Sequence, residues 1–347
     1  MVMERFGIDD VKYERPEDNV NKAEYYIQQL NVNNAKKVAL CLVFGFICYH
    51  GLIHLRYGTD SCKWILSDGR FKGNREWQPY GCMMHKYTQT DTKRCFRYLV
   101  FWGNHHHFIF IGDIRIRTLY QTFVRHLQVF SLVDDNQSSS VLHHYDEPIV
   151  NLEYTDYILK LRVNYIYASD LQPMIKQFNE WQNDADPPPF IVASTTQAHI
   201  LQGNITNEMI KYYSMSLSQL LQPIDTMTRH KKVKILWKLA DPVDEEKLSN
   251  EWHNLQNDII DKYNDAVYSI LKYSGVHIWS SSRQIASGLI DEAIDGWDLS
   301  KLAAQHDIQI LLNMYCNDYM NFNDGSCCSS AEPYTILQII TYSVFGV

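Results

Sequence analysis

The chain predicts an α/β domain, with a central parallel sheet covered by helices on both faces. Three observations carry that expectation. Four apolar runs of strand length recur, Phe108–Ile111, Phe190–Ala193, Val233–Leu239 and Val276–Trp279. Between them lie longer stretches whose apolar residues return every three or four positions, Leu119–Phe130, Ile210–Leu221 and Trp252–Leu271. Apolar strands alternating with amphipathic helices are what a sheet buried on both sides requires. Third, the first run passes through Gly112-Asp113 straight into a helical pattern.

Taken in order, residues 1–35 are polar and mixed in charge, with Asn-rich sequence near Asn31, and read as a weakly ordered tail. Lys36-Lys37 then opens an apolar run from Val38 to Leu55, uncharged until Arg56. At a rise of about 1.5 Å per residue it would span about 27 Å, close to a bilayer core. It lies too far from the N-terminus for a cleaved signal peptide, so residues 36–56 are expected to form an uncleaved signal anchor. Flanking charge is balanced: Lys36 and Lys37 on one side, Arg56 and Lys63 on the other. The sequons Asn136-Gln137-Ser138 and Asn204-Ile205-Thr206 both follow the anchor and tip the orientation toward a luminal domain over 60–330, glycosylated at Asn136 and Asn204. Pro187-Pro188-Pro189 stops a helix just before the second strand. Residues 334–347 are apolar again, too few to span a bilayer, and read as the start of a second membrane segment.

Composition narrows the function. The 347 residues are 46% hydrophobic and 21% charged, as in an ordinary globular chain. A net charge of -8 with no basic run argues against nucleic acid as a partner. The 23 tyrosines and 8 tryptophans promise a large aromatic core, although such residues also line carbohydrate-binding faces. Cys41 and Cys48 lie in the apolar run, whereas Cys62, Cys82, Cys95, Cys316, Cys327 and Cys328 bracket the folded region. An even set suits disulfides in an oxidising lumen, with the connectivity left open. Cys82 and His85 have a usable metal spacing, but no second close pair follows, so no metal site is expected.

Gly112-Asp113 is the kind of strand–turn–helix junction on which a nucleophile is often mounted. Ile114 follows it. Its side chain has no lone pair and cannot carry an acyl group. Several blocks, in order, resemble the luminal SGNH-type domain of the Golgi sialate O-acetyltransferase family: Ser67-Asp68-Gly69-Arg70-Phe71, Trp77–Tyr87, Phe110–Arg117, Asp241-Pro242-Val243, Asp295-Gly296, Leu312–Asn317 and Asp324–Cys328. The resemblance covers about residues 60 to 330. It implies an SGNH/GDSL-hydrolase-like three-layer sandwich behind one transmembrane helix, in the Golgi membrane. It also implies acetyl transfer from acetyl-CoA to sialic acid on a sugar nucleotide or glycan.

Family chemistry uses a serine nucleophile with an Asp-x-x-His pair and amide donors for the oxyanion. Carried onto this chain, the nucleophile position is Ile114, the Asp position Asp295 and the His position Asp298. Ser194 stands where the resemblance implies an oxyanion glycine, and Ala240 where it implies a glutamine. Losing a triad serine or histidine costs on the order of a million-fold in turnover. The expectation is therefore a catalytically inactive SGNH-like domain that keeps at most glycan or partner binding. The alternative is an active O-acetyltransferase with a rearranged site, drawing on Ser61, Ser67 or Cys82 with His85, His105, His106 or His107. A decayed gene product is a third reading. Arg115 and Arg117, near the helix start, are candidates for an anionic sugar, or else pair with Asp113 or another acid. Asp113, Asp295 and Asp298 could gather a divalent cation, but read rather as hydrogen-bonded remnants.

Overall fold

The structure, a computed structural model, describes residues 32–57, 62–73, 75–103, 105–128, 150–195, 206–249, 255–293, 295–317, 319–320 and 326–328. The tail before residue 32, Asn136 and Asn204 of the two sequons, and residues 334–347 lie outside the described residues. The chain divides into two units, residues 1–59 and 60–347.

The first unit holds one helix, α1 (Val32–Tyr57). Its described large side chains are exposed on all sides, Leu40, Leu42, Phe44 and Phe46 among them. A helix forms where the anchor is expected. Nevertheless, among the described residues no helix is long and apolar enough to cross a membrane.

The second unit is the expected α/β sandwich. It begins with α2 (Cys62–Ser67) and a small antiparallel hairpin, β1 (Gly69–Lys72) with β2 (Glu76–Pro79), followed by α3 (Gln89–Phe101). Then come β3 (His106–Gly112), α4 (Ile114–Leu127), β4 (Leu152–Asp156), β5 (Leu161–Tyr167), α5 (Leu171–Asn183) and β6 (Phe190–Ser194). The rest is α6 (Asn207–Ser218), α7 (Leu221–Asp225), β7 (Lys234–Lys238), α8 (Asn257–Leu271), β8 (His277–Trp279), α9 (Ser281–Gly288) and α10 (Lys301–Cys316).

The main sheet has the order β4-β5-β3-β6-β7-β8. β4 alone runs antiparallel; the other neighbours pair in parallel. All four expected strands are present within a residue or two. Their side chains alternate between two cores, as a period of two demands. Phe108, Phe110, Val192 and Leu236 face a layer containing α3, α4 and α10. Ile109, Ile111, Ile191 and Trp237 face the layer of α5, α6 and α8.

Chain order puts β5 on one side of β3 and β6 on the other. The winding direction therefore reverses beside β3. Ligands of open α/β sheets bind in the crevice at the carboxyl ends of the strands flanking such a reversal. Here that crevice lies beyond Gly112 and Ser194, which sit side by side in the register. Three disulfides tie the unit's two sequence ends together: Cys62–Cys328, Cys82–Cys327 and Cys95–Cys316.

Candidate functional site at the carboxyl edge of the sheet

The junction after β3 is held by its own backbone and by the neighbouring strand. A Cβ on Gly112 would overlap the Ser194 carbonyl oxygen, so only glycine lets β3 and β6 close up there. Asp113 caps α4, its Oδ1 accepting from the Arg115 amide at 3.1 Å. The Tyr165 hydroxyl donates to the carbonyls of Gly112 (3.2 Å) and Asp113 (3.1 Å). The turn is thus fixed on three sides. Ile114 is the first residue of α4, half-buried, and offers only hydrocarbon.

A narrow cleft lies beside the turn, lined among others by Asp113, Arg115, Ser194, Lys238, Ala240 and Trp297. An adjoining one shares Arg115, Asp241 and Trp297 and is also lined by Asp298. The structure thus gathers Arg115, Ser194, Ala240 and Asp298 around one sheet end. Arg117 lines neither cleft; it is buried one turn into α4.

Arg115 joins three segments. Its Nε (3.0 Å) and Nη2 (2.6 Å) donate to the Trp297 carbonyl, and its Nη1 donates to the Asp241 carbonyl at 2.6 Å. The guanidinium also lies over the Trp297 ring, 4.1 Å from its centroid. These are charge-assisted bonds to backbone, worth more than neutral ones. They commit most of the fork to holding loops.

The loop 295–298 is self-capped. Asp295 Oδ1 accepts from the amides of Trp297 (3.0 Å) and Asp298 (2.7 Å). Gly296 has φ +75 and lies against the Asp244 backbone, so this bend also needs glycine. Asp298 sits where burial, aided by the charge of Asp295 and opposed by Arg115, pushes its carboxyl up to about 6. Its Oδ1 is buried without a hydrogen-bond partner. Such a carboxylate could take a proton near neutral pH, but Ile114 has none to give.

Ala240 has only a methyl to offer, and its backbone is engaged elsewhere. Asn264 on α8 embraces Ala240: its Oδ1 accepts from the Ala240 amide at 2.8 Å, and its Nδ2 donates to the Ala240 carbonyl at 3.0 Å. Neither backbone group of Ala240 is left to serve a ligand.

Beneath the cleft lies a cluster that the sequence did not single out. Lys238, at the end of β7, bonds Asp241 and lies 3.7 Å from Asp307 on α10. All three are almost completely buried. Burial, joined by the charge of Asp241 and opposed by Lys238, drives the Asp307 carboxyl up to about 8. The pair Lys238 and Asp307 is separated by most of α8, β8 and α9 in sequence, so no local pattern marks it.

The residues of the rearranged-site alternative do not converge here. Cys82 is bonded to Cys327 and has no thiolate to offer. The Ser67 hydroxyl donates to the Lys63 carbonyl, and Ser61 lies outside the described residues. His106 and His107 begin β3, at the opposite edge of the sheet, facing Tyr315 (2.6 Å) and Asn164 (2.9 Å). The His85 backbone is tied to the Asn313 side chain at 2.8 Å in both directions. Among the described residues no group of three His, Cys, Asp or Glu could hold a metal ion.

No protein-family profile matches the chain. It is 31% identical over 333 residues to an N-acetylneuraminate (7)9-O-acetyltransferase of Danio rerio, an alignment covering 95% of this chain and 40% of that protein. The chain thus spans less than half the length of that relative. Among solved structures it is similar to a GDSL-like lipase from Bacteroides thetaiotaomicron, at 11% identity and a TM-score of 0.37, over 64% of this chain and 95% of that one. A catalytic mutant of an acetylxylan esterase from Geobacillus stearothermophilus gives 12% identity and a TM-score of 0.37, over 65% and 97%. The mostly parallel sheet, with a Gly-Asp turn mounted at its reversal, defines an α/β domain with its crevice at the carboxyl edge. The likeness across nearly the whole chain makes it, more particularly, a sialate O-acetyltransferase-like domain.

Proposed function

We propose that this domain is an inactive member of its kind, held at a Golgi membrane through α1, with its cleft in the lumen as a binding site for sialic acid or a related glycan or sugar nucleotide. The observation that carries the reading is Ile114 at the nucleophile position, on a turn otherwise built to present one. Ala240, which has a methyl where the resemblance implies a glutamine amide, supports it independently. Binding and bond-breaking draw on different atoms, so a sugar cleft can outlive its chemistry. Acetyl-CoA is the donor only if the site is active. The purified protein, given acetyl-CoA and CMP-sialic acid, should form no acetylated sugar above the protein-free rate, while sialic acid should bind saturably. Sugar acetylation that depends on the protein overturns the inactive reading. Absence of saturable binding overturns the glycan role.

A further inference from the structure

The crevice at the carboxyl edge is shut in this structure. Neither of its clefts has room for more than about one water molecule, whereas pockets that bury a small ligand run from about 300 Å³ upward. A ligand enters only if a wall moves, and most of the walls are fixed. Ser194 and Lys238 end strands β6 and β7, and Ile116 and Ile260 sit in α4 and α8. Asn264 holds Ala240, and Asp241 is tied to Lys238. Trp297 is different. It lies between Glu292 and Lys301, outside any helix or strand, and it lines both clefts.

The backbone around Trp297 is pinned, so the part that can move is the side chain. The Trp297 amide donates to Asp295 Oδ1, and its carbonyl accepts from the Arg115 fork. Next to it, the Gly296 carbonyl accepts from the Asp244 amide at 2.9 Å. The indole belongs to the second core and is 4% exposed, stacked on the Arg115 guanidinium at 4.1 Å. Leaving that packing is costly, so the closed form dominates without a ligand. A cation–π stack, however, is modest in strength, and the bonds to the Arg115 fork are made by the carbonyl, not by the ring. The ring can therefore turn about its own torsions while the carbonyl keeps the fork in place.

We propose that the Trp297 indole is a gate: closed on Arg115 in this structure, it turns outward to admit the ligand and joins the two clefts into one site. Turning also bares the face of the guanidinium, a fixed positive charge that an acidic sugar would meet. The proposal rests on the ligand-binding part of the reading above and adds the regulation of that site. A site that is open only part of the time binds with an apparent affinity lowered by the open fraction.

The test uses the full chain and sialic acid as the probe. Trp297→Ala removes the gate and keeps the backbone bonds, so it should bind the sugar several-fold more tightly than the parent in isothermal titration. The parent carries a second readout. In the chain grown with fluorotryptophan, the Trp297 fluorine resonance is the one missing from Trp297→Phe, and its solvent isotope shift reports exposure. That shift should be near zero in the free chain and should rise as sugar saturates. Arg115→Lys, which loses the stacking plane, should raise it without sugar. Should Trp297→Ala fail to fold, the fluorine at saturation decides alone. Saturable binding with equal affinity in parent and Trp297→Ala, or with a fluorine that stays buried at saturation, overturns the gate and leaves the binding reading standing. No binding by either chain overturns both.

Discussion

At the carboxyl edge of the sheet, Asp113, Arg115, Lys238, Asp241 and Asp307 are all withdrawn from water. At the opposite edge the buried groups are rings and sulfur. Phe96 and Phe190 each pack within 6 Å of Phe108 and Tyr315, and Cys95–Cys316 staples α3 to α10 beside them. Even the histidine there is apolar in practice: burial pushes His106 down to about 4, and it stays neutral against Tyr315. Buried charge is costly and buried aromatics are not. One edge is therefore built for stability. The other is rich in buried charge.

The contrast can be tested by breaking each edge in turn. Replacing Cys95 and Cys316 together by Ala leaves Cys82–Cys327 in place, so the loop released in the unfolded chain is short, segments 82–95 and 316–327 joined by that bond. That should cost about 3–4 kcal/mol on the chain-entropy account and appear as a large fall in unfolding midpoint. At the other edge, Lys238→Met would strand Asp241 and Asp307 in the core and should cost about 3–5 kcal/mol. Adding Asp241→Leu and Asp307→Leu should restore much of that loss, as thermal unfolding of the triple variant would show. If the single variant is neutral, the cluster is not the costly construction described. Arg115→Lys keeps the charge but loses the fork; about 1–3 kcal/mol should go with the bonds to Trp297 and Asp241, and denaturant titration would read it.

The smallest effect is a pH dependence. The folded Asp298 carboxyl lies near 6, above its value of about 3.8 in the unfolded chain, so the folded state holds the extra proton between those values. Its contribution is fully present below about pH 4 and is lost as pH rises through about 6. Asp298→Asn should flatten the fall in stability across that window. An unchanged slope would show that other groups set it.

The sheet was legible because it is buried on both faces, which makes β3, β6 and β7 nearly unbroken apolar runs. β5 was not, since Arg162 and Asn164 interrupt it and its outer neighbour is the antiparallel β4. α4 begins five residues before the apolar periodicity starts, because its first turn buries Arg115 and Arg117. The resemblance led to the Gly-Asp turn and to Asp295. Arg115 illustrates the limit: an anion or an acidic partner was expected, whereas the structure supplies backbone carbonyls from segments over a hundred residues away. Asn264 and Asp307 carried no signal, since their roles arise only when α8 and α10 pack onto the sheet.

The most direct measurement of the central claim is the intact mass of the protein after incubation with acetyl-CoA, for the parent chain and for Ile114→Ser with Asp298→His. The account predicts no acetyl group on the parent and acetylation at Ser in the restored frame. An acetyl ester on any cleft side chain of the parent would contradict it.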